Sequence, residues 1–324
     1  MPLQNFKRRD LILGGSAAIT VMVLAHKLHL PRPKRRIPGL TSEPQFPVPL
    51  SKKSVTGNWP ETPLFGVHLD RFNARDLSFT WDLLEYKWTD PPAILPIFLR
   101  ALPSDMEQLS VTDRKQMFFM AVTPHVLYAN HIILLQRQRL LDISGRTPTE
   151  ADRVFLDVLA ERMRLKSDPD LFVQLLDHID VIPPSLALAQ GAAESGWGTS
   201  RFAREGNALF GVWTWDQTKG IAPLGREPGK THSVKRYDHL FATVTDYMDN
   251  LNRHAAYADL RASRSQARVK GQTPSGAQMV GGLLYYSERR MKYVEELKAI
   301  MRANNLALLD TASLTSDYTP PTLV

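Results

Sequence analysis

The residues most able to do chemistry lie in Gln190-Gly191-Ala192-Ala193-Glu194-Ser195-Gly196-Trp197-Gly198, where a single carboxylate is set in an apolar, glycine-closed run. Ser185 to Ala193 has the composition of a buried helix, with Leu186, Ala189, Ala192 and Ala193 near one face. Pro183 and Pro184 suit its first turn and Gly196 its end. Glu194 is then in the last turn, where the negative end of the helix dipole and apolar neighbours both oppose ionisation. A carboxyl that keeps its proton near neutral pH can serve as a general acid.

The elements around this helix follow from local patterns. Thr199 onward reads as a short second helix ending at Asn207, whose side chain could bridge the loop backbone or bind an acetamide. Leu209 to Trp215 has strand composition, Asp216 to Gly220 turn composition, and Thr231 to Tyr237 alternates again. These predict a small β-hairpin lobe, with Gly225-Arg226-Glu227-Pro228-Gly229-Lys230 as one of its loops. Leu240 to His254 predicts a helix with Val244, Tyr247, Met248 and Leu251 as its apolar stripe. Tyr293 to Asn304 predicts a closing helix.

Upstream, Arg114 to Val122 predicts a helix that Pro124 breaks, followed by a longer one from His125 to Ile143. The longer helix carries Ala129, Ile132, Ile133, Leu140 and Ile143 as a stripe, with Leu134, Leu135 and Leu141 off it. That pattern predicts burial on more than one face. Thr147-Pro148-Thr149-Glu150 has capping-box spacing and opens a helix through Arg164. His125 and His131 lack ligand spacing and read as core or surface residues, so no metal is expected. Around Trp81, Tyr86 and Trp88, aromatic residues alternate with charges and prolines, a composition suited to packing on the main domain.

Charge is distributed unevenly. The chain of 324 residues has a formal net charge of +7, and residues 1–36 hold eight basic side chains against Asp10 alone. The remainder therefore sums to zero, which argues against a nucleic-acid partner. Lys7-Arg8-Arg9-Asp10 precedes the apolar run Leu11 to Ala25, the pattern of a twin-arginine export signal or an uncleaved membrane anchor. Seven prolines between Pro31 and Pro60 then predict an extended linker. Cysteine is absent, so disulfides are excluded. Nucleotide-binding, zinc-protease and serine-elbow motifs are absent too. The predicted organisation is a signal or anchor over 1–26, a linker over 27–62, and a mainly helical extension over 63–175. A catalytic domain over 176–309 and a tail over 310–324 complete it.

Four blocks in order resemble the bacterial glucosaminidase family that hydrolyses peptidoglycan, which includes flagellar and autolytic N-acetylglucosaminidases and a Bax-like group. They are Leu188 to Ala203, Gly206 to Trp213, Tyr247 to Tyr257, and Leu284 to Val294. A weaker likeness to the Bax-like group runs back to about Arg114. Arg290 departs from the pattern, because relatives often carry Gly there. The resemblance implies an α+β, mainly α, lysozyme-like fold with a substrate groove between two lobes. It implies glycan strands of peptidoglycan as partner, no cofactor, and action in the periplasmic envelope.

On that resemblance Glu194 is the acid of an endo-β-N-acetylglucosaminidase. The second group would be Glu227 on the β-lobe loop, with Asp216 and Asp238 as weaker choices, or the substrate's own 2-acetamido group. Tyr286, before Ser287, matches a family Tyr near the reaction centre and could bond the acetamide or orient water. Trp197, Phe210, Trp213 and Trp215 could stack on sugar faces, and Asn207 could bind an acetamide. A lytic transglycosylase on the same polymer and a catalytically silent wall-binding protein are the competing readings.

Overall fold

The computed structural model describes residues 56–63, 66–69, 74, 92–166, 168–226 and 229–315, all within one compact unit spanning 38–319. The proposed signal or anchor, most of the linker, Trp81, Tyr86, Trp88 and Glu227 lie outside the described residues. The fold is mainly α with small sheets. Short parallel pairs join β1 (Val67–Leu69) to β3 (Ile97–Leu99), and β2 (Ala93–Ile94) to β7 (Ser313–Leu314).

The longest element is α1 (Val111–Ser144), 34 residues capped by Ser110, whose side chain accepts from Asp113 N. It runs unbroken through Pro124. The expected break fails because the whole stretch from Met117 to Asn130 is buried, so tertiary packing offsets the bond that a proline cannot make. Thr123 Oγ1 adds a bond back to the Phe119 carbonyl at 2.7 Å. This is the one described helix long and apolar enough to cross a membrane, and 83% of its apolar window is buried inside the protein. Burial on several faces holds only for the first half, since Leu134 and Leu141 are 43% and 50% exposed.

α2 (Glu150–Met163) begins one residue pair later than the capping-box spacing suggested. Thr149 is the cap and Asp152 its reciprocal partner, because Asp152 reaches Thr149 N at 3.0 Å and also binds Arg146. After α3 (Leu171–His178) comes α4 (Pro184–Ser195), the helix that carries Glu194. Its sequence signals hold: Pro184 is in the first turn and Gly196 closes it at φ 57°, a conformation that only glycine adopts at no steric cost.

α4 packs against α1, α9 (Met291–Ala303), α8 (Gly276–Met279) and the short 3-10 helix Leu306–Thr311. Every residue from Pro184 to Ala192 is buried. No side chain of its own caps the N-terminus; Asp310 does so from 125 residues away, accepting from Ser185 N and Ser185 Oγ, both at 2.8 Å. The carboxylate satisfies orphan donors and meets the positive end of the dipole. Asp310, placed in the expected tail, is thus structural.

The approach to α4 is pinned by buried charge. Asp180 takes two bonds from Arg268 (2.6 and 3.0 Å), while Arg264 donates to the Asp180, Val181 and Asp177 carbonyls and to Asn252. Burial pushes the Asp180 carboxyl up, but Arg268, Arg264 and Arg137 together hold it below the usual range. Asn130 of α1 closes a pair of bonds with Ile182, donating to its carbonyl and accepting from its N–H. Arg264 and Arg268 come from α7 (Ala258–Val269), Arg137 from α1 and Asn252 from α6 (Leu240–Arg253).

The last linker residues are also held. Arg162 stacks over Trp59 and donates to the Gly57 carbonyl at 2.5 Å, while Trp59 Nε1 donates to Asp249 at 2.9 Å. His125 is buried and bonds the Leu99 carbonyl at 2.9 Å through Nε2; burial pushes its pKa down to about 3, so it is a neutral core residue. His131 is on the exposed face of α1.

The β-lobe has three strands rather than a two-stranded hairpin. β4 (Trp213–Thr214) and β5 (Gly220–Ile221) flank β6 (Ser233–Lys235), both antiparallel to it. Leu209 and Phe210, read as strand, instead enter the core.

Candidate active site around Glu194

Glu194 sits at the end of α4, half-buried, one turn after Gln190 on the same face. A Cβ added at Gly211 would lie 3.5 Å from Glu194 Oε2, so the glycine turn after Phe210 forms a close wall of the site. Behind the carboxyl stand Tyr247, Tyr257, Tyr286 and Tyr293, and beside it Arg289 and Glu296. Burial pushes the Glu194 carboxyl above the usual glutamate range. A hydrogen bond from Tyr293 and the charge of Arg289 pull it back, and Glu296 pushes it further up.

Tyr293 and its partner Gln190 are the functional neighbours that sequence reasoning missed. Gln190 Nε2 donates to Tyr293 Oη at 3.2 Å, and Tyr247 Oη donates to Gln190 Oε1 at 2.7 Å. The signal was present: a glutamine four residues before Glu194, in the apolar run from Leu186 to Ala193, must satisfy its amide somewhere. The tyrosines interlock by their rings. Tyr286 stacks on Tyr293 at 5.7 Å and 4°, and Tyr247 stacks on Phe210 at 3.9 Å and 11°.

The structure brings Tyr286 into this group but gives its hydroxyl a specific partner, the Phe210 carbonyl, at 2.7 Å. Its single proton is therefore directed to the wall of the site. Burial pushes its phenol well above the ordinary range, so it stays neutral. Phe210 does not fit the expected sugar platform. Its side chain is 1% exposed, with one face on Tyr247, and no ring surface is left for a ligand.

Asn207 adopts φ 51° as the end cap of α5 (Arg201–Gly206) and donates Nδ2 to the Tyr237 carbonyl at 3.1 Å. Of its two expected roles, this is the backbone bridge. Trp197 is half-buried, edge-on to Phe118 and Phe119, with Lys115 Nζ 4.8 Å from its ring centre; it bolts the end of α4 to α1. Trp213 remains open to solvent at 55%, backed on one face by His232 at 4.1 Å. Trp215 is 70% exposed. Asp216 is committed to its own turn: it accepts from Thr218 N and Oγ1, and those bonds hold its carboxyl low. Among the described residues no group of three or more His, Cys, Asp or Glu side chains could hold a metal ion.

The site thus combines a half-buried carboxyl at a helix end, a floor of tyrosines and an open lobe carrying exposed tryptophans. The chain belongs to the glucosaminidase family and is a glycoside hydrolase: the family described as mannosyl-glycoprotein endo-beta-N-acetylglucosaminidase matches residues 170–306. Among similar proteins is Protein bax of Escherichia coli K12, 32% identical over 209 residues, covering 63% of this chain and 74% of that one. The peptidoglycan hydrolase FlgJ of the same species is 28% identical over 144 residues, covering 39% of this chain and 44% of its own. The catalytic domain of the autolysin Auto from Listeria monocytogenes is 16% identical, with a TM-score of 0.28, covering 53% of this chain and 96% of that domain.

Proposed function

We propose that this chain is an endo-β-N-acetylglucosaminidase that cleaves β-1,4 bonds of peptidoglycan in the bacterial envelope, with Glu194 as general acid. The observation that supports the reading is the Glu194 carboxyl itself, at the end of α4 against the glycine turn at Gly211, where burial raises its pKa above the usual glutamate range. The peptidoglycan hydrolase FlgJ among its relatives supports the choice of polymer. Glu194 gives its proton to the leaving glycosidic oxygen as the bond to the anomeric carbon breaks, and water completes the product.

Glu227, which lies between β5 and β6 in the sequence, is the proposed base for that water, and the substrate's 2-acetamido group is the alternative nucleophile. Trp213 presents one free face as a sugar platform, and Trp197 and Asn207 hold the walls to which glycan binds. Tyr286 supports the reacting site through the Phe210 carbonyl. Residues 1–26 export or anchor the chain so that it meets its polymer in the periplasm.

Digestion of purified sacculi tests the reading. Wild-type protein should release soluble muropeptides with reducible ends and the mass of an added water. Glu194→Gln should reduce release by about 10²- to 10⁴-fold. Equal release by both proteins overturns the role of Glu194. Anhydro ends in place of reducible ones would make it a lytic transglycosylase.

A further inference from the structure

The wall beside Glu194 is a short stretch of backbone held from both sides. The Phe210 carbonyl accepts from Tyr286 Oη at 2.7 Å. The Phe210 ring is 1% exposed and stacks on Tyr247 of α6 at 3.9 Å, and a Cβ added at Gly191 of α4 would come within 3.2 Å of it. On the other side of Gly211, the Val212 carbonyl accepts from Lys235 N of β6 at 2.8 Å. Gly211 itself has φ 62°, and a Cβ there would lie 3.5 Å from Glu194 Oε2. Glycine takes that conformation without strain and keeps the ground beside the acid open.

One donor in this wall is left over. A trans peptide carries its C=O and N–H on opposite edges, so fixing the Phe210 carbonyl on Tyr286 turns the Gly211 N–H the other way. Among the described residues no acceptor is bonded to that N–H, and Gly211 is partly exposed. Such a donor meets water or a ligand. The side chains expected to donate to an acetamide already donate elsewhere: Asn207 Nδ2 to the Tyr237 carbonyl at 3.1 Å, and the single Tyr286 proton to Phe210.

We propose that the Gly211 N–H binds the carbonyl oxygen of the substrate's 2-acetamido group, and that Tyr286 is a positioning residue that aims this donor through the Phe210 carbonyl. The choice of a 2-acetamido sugar rests on the function proposed above. The acetamido group stands on the ring carbon next to the anomeric carbon. A donor on the residue against Glu194 therefore meets it when the glycosidic oxygen is at the acid. The contact makes and breaks no covalent bond. It selects a sugar that carries an acetamide and fixes its anomeric carbon against Glu194. A backbone donor held from both sides also loses no side-chain freedom on binding.

The donor can be read directly by NMR. Full-length Glu194→Gln protein carrying nitrogen-15 glycine is titrated with a β-1,4-linked N-acetylglucosamine tetramer and with the glucose tetramer, which has hydroxyls in place of acetamides. The Gly211 amide proton should move downfield with the first and not with the second. Tyr286→Phe in the same protein should shrink that shift and weaken binding of the N-acetylglucosamine tetramer about three- to ten-fold, the range of one hydrogen bond. Binding of the glucose tetramer should weaken less than about two-fold. If Tyr286→Phe does not fold, the Glu194→Gln titration still decides the donor. A Gly211 amide that stays unmoved, or moves equally with both sugars, overturns the proposal. So does equal weakening of both tetramers by folded Tyr286→Phe, the result of a purely structural tyrosine. Wild-type protein inactive on sacculi, with the Gly211 shift intact, would instead sink the proposed activity.

Discussion

The ground beneath Glu194 and the β-lobe opposite it are built by different rules. Beneath Glu194, α4 and α6 bury most of their residues and α9 buries Tyr293, Val294, Leu297 and Met301, while the two ends of α4 have polar partners: Asp310 at one, the tyrosine–glutamine chain at the other. The β-lobe has strands of two or three residues and a small apolar cluster of Ala208, Val234 and Tyr237, with Phe202 and Ala242 packed against it. It is tied to α6 mainly where Tyr237 Oη and Lys235 Nζ donate to Asp246, at 2.7 and 2.8 Å. Its large side chains, Trp213 and Trp215, face solvent. The proposed roles match this contrast: a general acid must be desolvated and fixed, which requires a core, whereas a surface that meets a polymer must stay open.

Substitutions should separate the two regions sharply. The largest effect on stability is expected at Arg264, whose side chain is 1% exposed and makes three bonds to the approach to α4 and one to Asn252 of α6. Arg264→Met should cost about 3–5 kcal/mol in urea unfolding, because it leaves buried carbonyl acceptors unpaired and removes one of the three arginines around Asp180. A loss below about 1 kcal/mol would mean the buried network is not what sets the floor. On the lobe the expectation reverses. Trp213→Ala should leave the urea midpoint nearly unchanged and raise KM about three- to ten-fold, the range of an aromatic stacking contact. A large stability loss with unchanged KM would erase the contrast.

The smallest effect is a gain. Arg290, just before α9, has φ 51° and ψ −121°, a region that side chains avoid, and its guanidinium lies over the exposed Tyr285 ring at 4.6 Å. Arg290→Gly should stabilise the protein by about 1 kcal/mol by relieving that strain, less the entropy a glycine adds to the unfolded chain. A destabilised variant would show that the Tyr285 contact outweighs the strain.

How much of this was legible follows from the range of each interaction. The Glu194 helix could be read with its proline start and glycine stop because both signals are local, and the stripe of α6 because its period is. Pro124 misled because burial of the whole turn around it is a tertiary fact with no local trace. Phe210 has strand composition, but its place is decided by Tyr247, 37 residues on. Asp310 capping α4 joins positions 125 residues apart, and nothing near Pro183 announces it. In the site, Glu194 was singled out by its local helix signals and Tyr286 only by the resemblance to related sequences. Tyr293 passed as an ordinary core residue, since its hydroxyl acquires meaning only when α9 lies against α4. The departure at Arg290 had a physical counterpart, the positive φ that a glycine would take without strain.

The central claim is that burial keeps Glu194 protonated where an ordinary glutamate has ionised. In the folded state its pKa is raised, so folding retains a proton that the unfolded chain has lost. Stability should therefore fall as pH rises from the ordinary glutamate range through the Glu194 value, and this fall should be absent in Glu194→Gln. The most direct measurement follows the Glu194 carboxyl by infrared titration in wild-type protein and sets it beside the pH dependence of kcat/KM on peptidoglycan. The account predicts that the carboxyl ionises above the ordinary range and that activity is lost over the same interval. Ionisation in the ordinary range, with activity persisting above it, would contradict it.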